Sequence, residues 1–263
     1  QGEELKDNSK TPLRLSTAGR AGEGLLNIIT LKTEHLLIIR FSAMGDVAMT
    51  VPVVRSLARQ YPHLRVTVLS RPFARTFFEG LAPNVGFMGA DLKDEYRGLK
   101  GLNALYRRLV AKNFTAIADL HSILRSSYLR MRFNLGRYRV EHIDKHRRER
   151  RQLTAAHGKV LRQLPTPFEG YADVLARLGY PVKVEFDSIF PPEGGDMSLI
   201  AQRVEPKGEG ERWYGIAPFA AHRGKVYDPE RMERVVELLL ERDPRCRVFL
   251  FGGGQEERQT LDA

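Results

Sequence analysis

Four stretches of the chain combine residue types that could do chemistry. Ser42-Ala43-Met44-Gly45-Asp46 follows a short apolar run and sets a glycine beside a carboxylate. Gly45 permits close approach of a ligand or an unusual backbone angle, and Asp46 stands where a helix begins. That carboxylate either serves a ligand at the end of the strand or only caps the helix. Pro218-Phe219-Ala220-Ala221-His222-Arg223-Gly224-Lys225 joins small residues to a cluster of cations. A diphosphate suits it, and scattered surface charge is the plain alternative. Gly252-Gly253-Gly254-Gln255-Glu256 could cradle a phosphate, with Glu256 placed to hold ribose hydroxyls. It matches neither G-x-G-x-x-G with a well-spaced acid nor G-x-x-x-x-G-K-S/T. Asp119 and His121 close another apolar run and are either site residues or solvent-facing polar groups. No metal site is expected, because His142, His146 and His157 lack ligand spacing and there is no H-E-x-x-H or paired C-x-x-C. A G-x-S-x-G elbow is also missing.

Those residues need elements to position them. Leu36-Leu37-Ile38-Ile39 is fully apolar and bounded by polar residues, which suits a buried parallel strand. A helix ending near Gln60 follows, starting at either Asp46 or Thr50, with Pro52 tolerated in its first turn. Arg65 to Leu69 is a second strand, completing a βαβ unit. The same grammar predicts strands at 85–88, 115–120 and 137–140, and helices at 74–81, 99–112, 123–133 and 171–178. Gly179 supplies the last helix with a C-terminal stop. The Pro-Pro, Gly-Gly and Gly-Glu-Gly punctuation of 191–210 reads as a linker, interrupted by a helical stretch near Met197 to Val204. Beyond it strands are expected at 214–217 and 247–251, with an amphipathic helix over 229–241. Two α/β blocks split by a linker suggest two Rossmann-like domains.

Composition narrows the partners. The chain has 263 residues, 42% hydrophobic and 28% charged, which is globular rather than disordered or fibrous. No run approaches the ~20 apolar residues of a membrane span, and residues 1–32 lack the core of a signal peptide. Cys246 has no second cysteine to pair with, so a reducing compartment fits, and its strand setting suggests a core residue. Lys plus Arg number 42 against 32 Asp plus Glu, a net charge of +10. This predicts anionic partners: nucleic acid, phosphorylated metabolites or an anionic membrane. Between Arg125 and Arg151, ten Lys or Arg residues face only Glu141, Asp144 and Glu149. A solvated helix or loop is the bland reading of that run. Its aromatic residues form no ribonucleoprotein-type motif, so no nucleic acid is expected.

Several segments taken in order resemble glycosyltransferase family 9, the bacterial lipopolysaccharide heptosyltransferases. They are Leu37 to Val47 with Thr50-Val51-Pro52-Val53, the strand Ala116 to Leu120 with His121 and Arg125, Gly215 to Ala221 with Lys225 and Pro229 to Met232, and Phe251 to Gly254 with Glu256-Glu257. The resemblance implies an α/β fold of GT-B type with two Rossmann-like domains, the second incomplete in this chain. It divides the sequence into a weakly structured leader (1–33), an acceptor domain (34–190), a linker (191–212) and the start of a donor domain (213–263). The implied activity is inverting transfer of a heptose from ADP-heptose to the lipopolysaccharide inner core on lipid A, with no cofactor and no metal. By position Asp46 matches the catalytic base. Ser42, Gly45, His121 and Arg125 fall on the acceptor side, and Ala220, Ala221, Lys225 and Glu256 on the donor side. Ala220 and Ala221 stand where some members carry hydroxyls. The implied setting is cytoplasmic and peripheral on the anionic inner membrane, and the chain as it stands is not expected to complete a catalytic cycle. A nucleotide-dependent oxidoreductase and a noncatalytic anion- or nucleic-acid-binding protein are the rival classes.

Overall fold

The computed structural model describes residues 33–190, 194–220 and 222–262. The chain forms two compact units, one running to Ile189 and one beginning at Phe190. In the first, β1 (His35–Ile39) is wholly buried. It is followed by α1 (Met44–Ala48), α2 (Val51–Gln60) and β2 (Arg65–Ser70). Then come α3 (Arg75–Phe78), β3 (Val85–Gly89), α4 (Gly98–Val110) and β4 (Ala116–Asp119). After these stand α5 (Leu124–Leu135), β5 (Arg139–His142), α6 (Arg147–Leu153) and α7 (Pro167–Arg177). All neighbouring strands are parallel, in the order β3-β2-β1-β4-β5.

A strand buried on both faces must send alternate side chains into two different cores. Leu36 and Ile38 pack with Val66, Val68, Ala116 and Ala118 beneath a layer that includes Val53, Leu57 and Tyr171 from α2 and α7. Leu37 and Ile39 point the other way, into a second core with Leu69, Leu105, Ile117 and Phe133. The helices thus lie on both sides of the sheet. The chain leaves β1 toward one side and β4 toward the other, so the ends of these adjacent strands form the switch point of the sheet.

Both expected starts of the first helix are partly right, because the segment breaks in two. Pro52 has no N–H to give to the carbonyl of Ala48, and its ring crowds that position, so one continuous helix cannot form. The break leaves α1 as a single short turn carrying Asp46, and the Thr50 hydroxyl donates back to the Val47 carbonyl at 2.7 Å.

Other boundaries moved for local reasons. The strand expected at 137–140 lies at Arg139–His142. Arg137 takes a left-handed φ of 58° and the Tyr138 amide is spent on the Phe133 carbonyl, closing α5. The basic run after it contains α6, whose sequence RRERRQL buries no residue and so offered no apolar period to read. Helix α7 starts a turn earlier than expected, at Pro167. Thr166 and Glu169 cap each other's backbone there in the Ser/Thr-x-x-Glu pattern. The helical stretch expected at 197–204 shrinks to a short 3-10 turn, Met197–Leu199, followed by turns.

The second unit pairs β6 (Arg212–Ile216) with β7 (Cys246–Leu250) in parallel, connected through α8 (Pro229–Arg242), and ends in α9 (Gln255–Asp262). Asp228 caps α8 by accepting the Arg231 amide at 3.2 Å. Cys246, expected in the core, is half-buried with its thiol against the Leu239 carbonyl. Among the described residues no helix is long and apolar enough to cross a membrane.

Candidate functional site

The carboxyl ends of β1 and β4 converge on one buried arginine. Arg40, the first residue past β1, is only 8% exposed. Its Nη1 donates to the Leu120 carbonyl at 2.7 Å, and its Nη2 meets the Asp46 carboxylate at 2.6 Å. One guanidinium thereby ties the exit of β4 to the first turn of α1. The Asp46 carboxylate also accepts the Ala43 amide at 3.2 Å, yet the side chain stays 47% exposed. It is both held and open to a ligand. Tyr171 closes the site from α7, its hydroxyl donating to the Asp46 carbonyl at 3.4 Å. Burial pushes that phenol above its ordinary value, so it stays neutral.

His121 is the second titratable group here, and its protonation state follows from its contacts. The Phe41 amide donates to Nδ1 at 3.3 Å, so Nδ1 must carry a lone pair. Burial first, then the charges of Arg40 and Lys145, push its pKa down to about 4. The ring is therefore neutral at pH 7 with its proton on Nε2, which faces the Ser42 hydroxyl at 3.4 Å. A ring nitrogen that already bears hydrogen cannot accept one, so His121 Nε2 presents a donor and not a base.

Asp119, fully buried, braces the loop that carries His121. One carboxylate oxygen accepts the amides of His121 and Ser122, each at 2.9 Å, and the other meets Arg130 at 3.0 Å. Asp119 is thus an internal anchor and not the solvent-facing alternative.

Asp46 borders a cleft of about 510 Å³ whose wall includes Arg40, Ser42, His121, Lys145 and Tyr171. Ile143, Asp144, Lys145 and Arg147 are shared with a neighbouring cleft of about 800 Å³. The Lys145 ammonium is held below its ordinary value, first by burial and then by Arg40 and Arg147. Cations outnumber carboxylates along the two clefts, Asp46 and Asp144 standing in the smaller and Asp144 and Asp173 in the larger, so together they suit an anionic ligand. Among the described residues no group of three His, Cys, Asp or Glu side chains comes together to hold a metal.

Of the residues singled out by sequence, Ser42, Asp46 and His121 come together. Gly45 stands exposed beside them, where an added Cβ would meet nothing within 4 Å. No contact within the chain requires glycine at that position. Arg125 is exposed on α5 and is not among the residues lining either cleft, where Arg130 stands instead. Arg40, Lys145 and Tyr171 were not singled out, and Arg147 only as part of the basic run read as an anion-binding stretch. Arg40 lay within the quoted motif, but nothing in the sequence told a buried arginine from a surface one.

In the second unit Ala220 and Lys225 follow β6 and are exposed, with the Lys225 amide closing a short turn onto the His222 carbonyl at 2.8 Å. Ala221 lies outside the described residues. After β7, Gly254 takes a φ of 85°, and Glu257 accepts the Gly253 amide at 2.7 Å. That leaves Glu256 exposed in the first turn of α9.

No family model matches the chain. A lipopolysaccharide core heptosyltransferase, OpsX of Haemophilus influenzae, is 27% identical over 113 residues, 41% of this chain and 31% of that protein. The match thus spans under a third of that relative's length. A glycosyl transferase family 9 structure from Veillonella parvula superposes with a TM-score of 0.63 at 17% identity, covering 88% of this chain and 67% of that one. The E. coli heptosyltransferase WaaC with ADP gives 0.55 at 17% identity, covering 86% and 69%. The fold is of GT-B type, and the chain resembles glycosyltransferase family 9.

The buried neutral His121 makes stability depend on pH. Unfolding returns it to an ordinary value near 6.5, so the unfolded chain binds the extra proton between pH 6.5 and 4. Stability from this group is complete above pH 6.5 and is lost as pH falls toward 4, by about 3 kcal/mol in total. His121→Asn keeps an acceptor for the Phe41 amide and removes the titration. Urea melts from pH 7 to 4 should show a shallower loss in the variant, and equal slopes would exclude His121 as the source.

Proposed function

We propose that the chain belongs to an inverting glycosyltransferase that moves a heptose from ADP-heptose to the inner core of lipopolysaccharide. The observation that carries this reading is the Asp46 carboxylate, gripped by Arg40 yet half open to a cationic cleft at the strand switch point. Resemblance to lipopolysaccharide heptosyltransferases supplies the substrate class.

In this scheme an acceptor hydroxyl attacks the anomeric carbon of the donor. The new C–O bond forms as the bond to the diphosphate breaks, and ADP departs with that electron pair. Asp46 takes the hydroxyl proton. Its ion pair with Arg40 fixes the carboxylate while leaving it exposed enough to meet the acceptor. Lys145 and Arg147 supply positive charge for a phosphorylated acceptor. On the donor side Lys225 acts on the diphosphate, where a cation stabilises the charge of the leaving group, and Arg223 is a second candidate for that role. Glu256 acts on the ribose, and Ala220 and Ala221 belong to the loop that meets the phosphates. Ser42, Gly45 and His121 shape the acceptor pocket, with His121 as a neutral wall. The reaction needs no cofactor besides the donor itself, and the acceptor's lipid places the work at the cytoplasmic face of the inner membrane.

Two substitutions should separate the roles. In the whole enzyme, Asp46→Asn keeps shape and removes basicity, so turnover should fall about 10²-fold or more with ADP affinity unchanged. Lys225→Ala should weaken ADP binding, read by calorimetry, by about tenfold, the scale of one charged hydrogen bond. Near-normal turnover in the first variant removes Asp46 from the role of base. Unchanged ADP affinity in the second removes Lys225 from the donor site.

A further inference from the structure

Helix α5 is apolar on two opposite sides. Leu129 and Phe133 are buried in the core. Leu124, Met131 and Leu135 are 88%, 48% and 75% exposed. At about 100° per residue these three fall within about 40° of one another, on the side of the helix away from Phe133. A surface helix ordinarily shows water its polar face, so a second apolar stripe calls for a second partner.

The stripe continues onto α4. The Tyr128 hydroxyl donates to Asn103 at 2.7 Å, which sets the two helices side by side. One turn before each of these residues stands another exposed leucine, Leu124 on α5 and Leu99 on α4, the latter 67% exposed. Between them the helices carry Lys100, Arg107, Arg108, Arg125, Arg130 and Arg132, and no acid. Arg108 and Arg130 answer Glu95 and Asp119, while Lys100, Arg107 and Arg125 are exposed.

From this pairing we infer that the outer face of α4 and α5 docks on an anionic lipid bilayer, the leucines entering the interface and the cations meeting headgroups. Each alternative satisfies only half of the surface. A second copy of the chain would cover the leucines but set like charges against each other. A nucleic acid would take the cations and leave the leucines in water. An anionic bilayer takes both, because apolar burial and electrostatic attraction add there. The site differs from the arginine-rich α6, which exposes charge without any large apolar residue before Leu153. Leu124 also lines the larger cleft, so docking would set that cleft beside the membrane.

This inference deepens the proposed setting at the inner membrane by naming the face that meets it, and it is tested apart from the transfer, since lipid binding needs neither donor nor turnover. The test is co-sedimentation of the chain with vesicles of phosphatidylglycerol and phosphatidylcholine, without nucleotide sugar. The chain should bind the mixed vesicles and not pure phosphatidylcholine. The double variant Leu99→Ser/Leu135→Ser changes only exposed side chains, so its circular dichroism and melting should match the parent, while vesicle binding should fall about tenfold or more. Arg107→Gln/Arg125→Gln should weaken binding and flatten its decline with salt. No vesicle binding by the parent, or binding untouched by the two serines, overturns the assignment. So does a parent dimer that the serines turn into monomers, since a second copy then covers the face. Vesicle binding by the chain with no heptose transfer by the whole enzyme it belongs to would keep the docking face and remove the transfer reading, and the reverse result would do the opposite.

Discussion

The guanidinium of Arg40 holds the site at the ends of β1 and β4 together. A charge so deeply buried is costly unless every part of it finds a partner, and here Nε finds none among the described residues. The remaining contacts must offset that cost: the Leu120 carbonyl, the Asp46 carboxylate, and the Tyr171 ring 6.0 Å from the guanidinium centre. Because Asp46 is half in water, solvent screens the ion pair and its net contribution to stability is small. Its value is geometric. It fixes a carboxylate at the switch point between two strand ends, and the arginine's charge adds to the burial that keeps the neighbouring histidine neutral.

The rest of the first unit serves that constraint. The β1 strand must be buried on both faces so that its end opens into a crevice between helix layers that depart on opposite sides. Pro52 cuts the first helix into two, leaving Asp46 on a short turn that Arg40 can reach. Asp119 has no exposure, and it spends both carboxylate oxygens holding the loop of His121 and the start of α5. These elements bring His121, about eighty residues further along the chain, beside Arg40 and Asp46.

Much of this was legible in the residues themselves. The apolar run of β1, the helix of α4 and the repeated strand-helix order announce a parallel sheet, because burial on both faces and the 3.6-residue period leave direct marks. The switch-point carboxylate was legible for the same reason, since loops after parallel strands are where ligands bind. What escaped was what no local pattern encodes. Arg40 and Lys145 are ordinary basic residues until the sheet brings β4 and the β5 loop beside them. Helix α6 has no apolar face to announce it, and β5 slid because the end of α5 consumed the Tyr138 amide. The capping signal at Thr166 to Glu169 stood in the sequence and was simply not used. The basic run from Arg125 to Arg151 was readable as charge alone. Its division into an apolar-and-basic α5, a cleft wall around Lys145 and an exposed α6 depends on three-dimensional packing.

If Arg40 positions the base, then its geometry should matter to turnover more than its charge does. The most direct measurement is kcat and donor KM for heptose transfer by Arg40→Lys and Arg40→Met variants of the whole enzyme, each with a melting curve to confirm folding. Lysine is a compact point charge and cannot span Leu120 and Asp46 as a guanidinium fork does. The account predicts that kcat falls about tenfold or more in both folded variants, with lysine the milder, while donor KM changes little. A folded Arg40→Lys or Arg40→Met protein that keeps the parent kcat would contradict it.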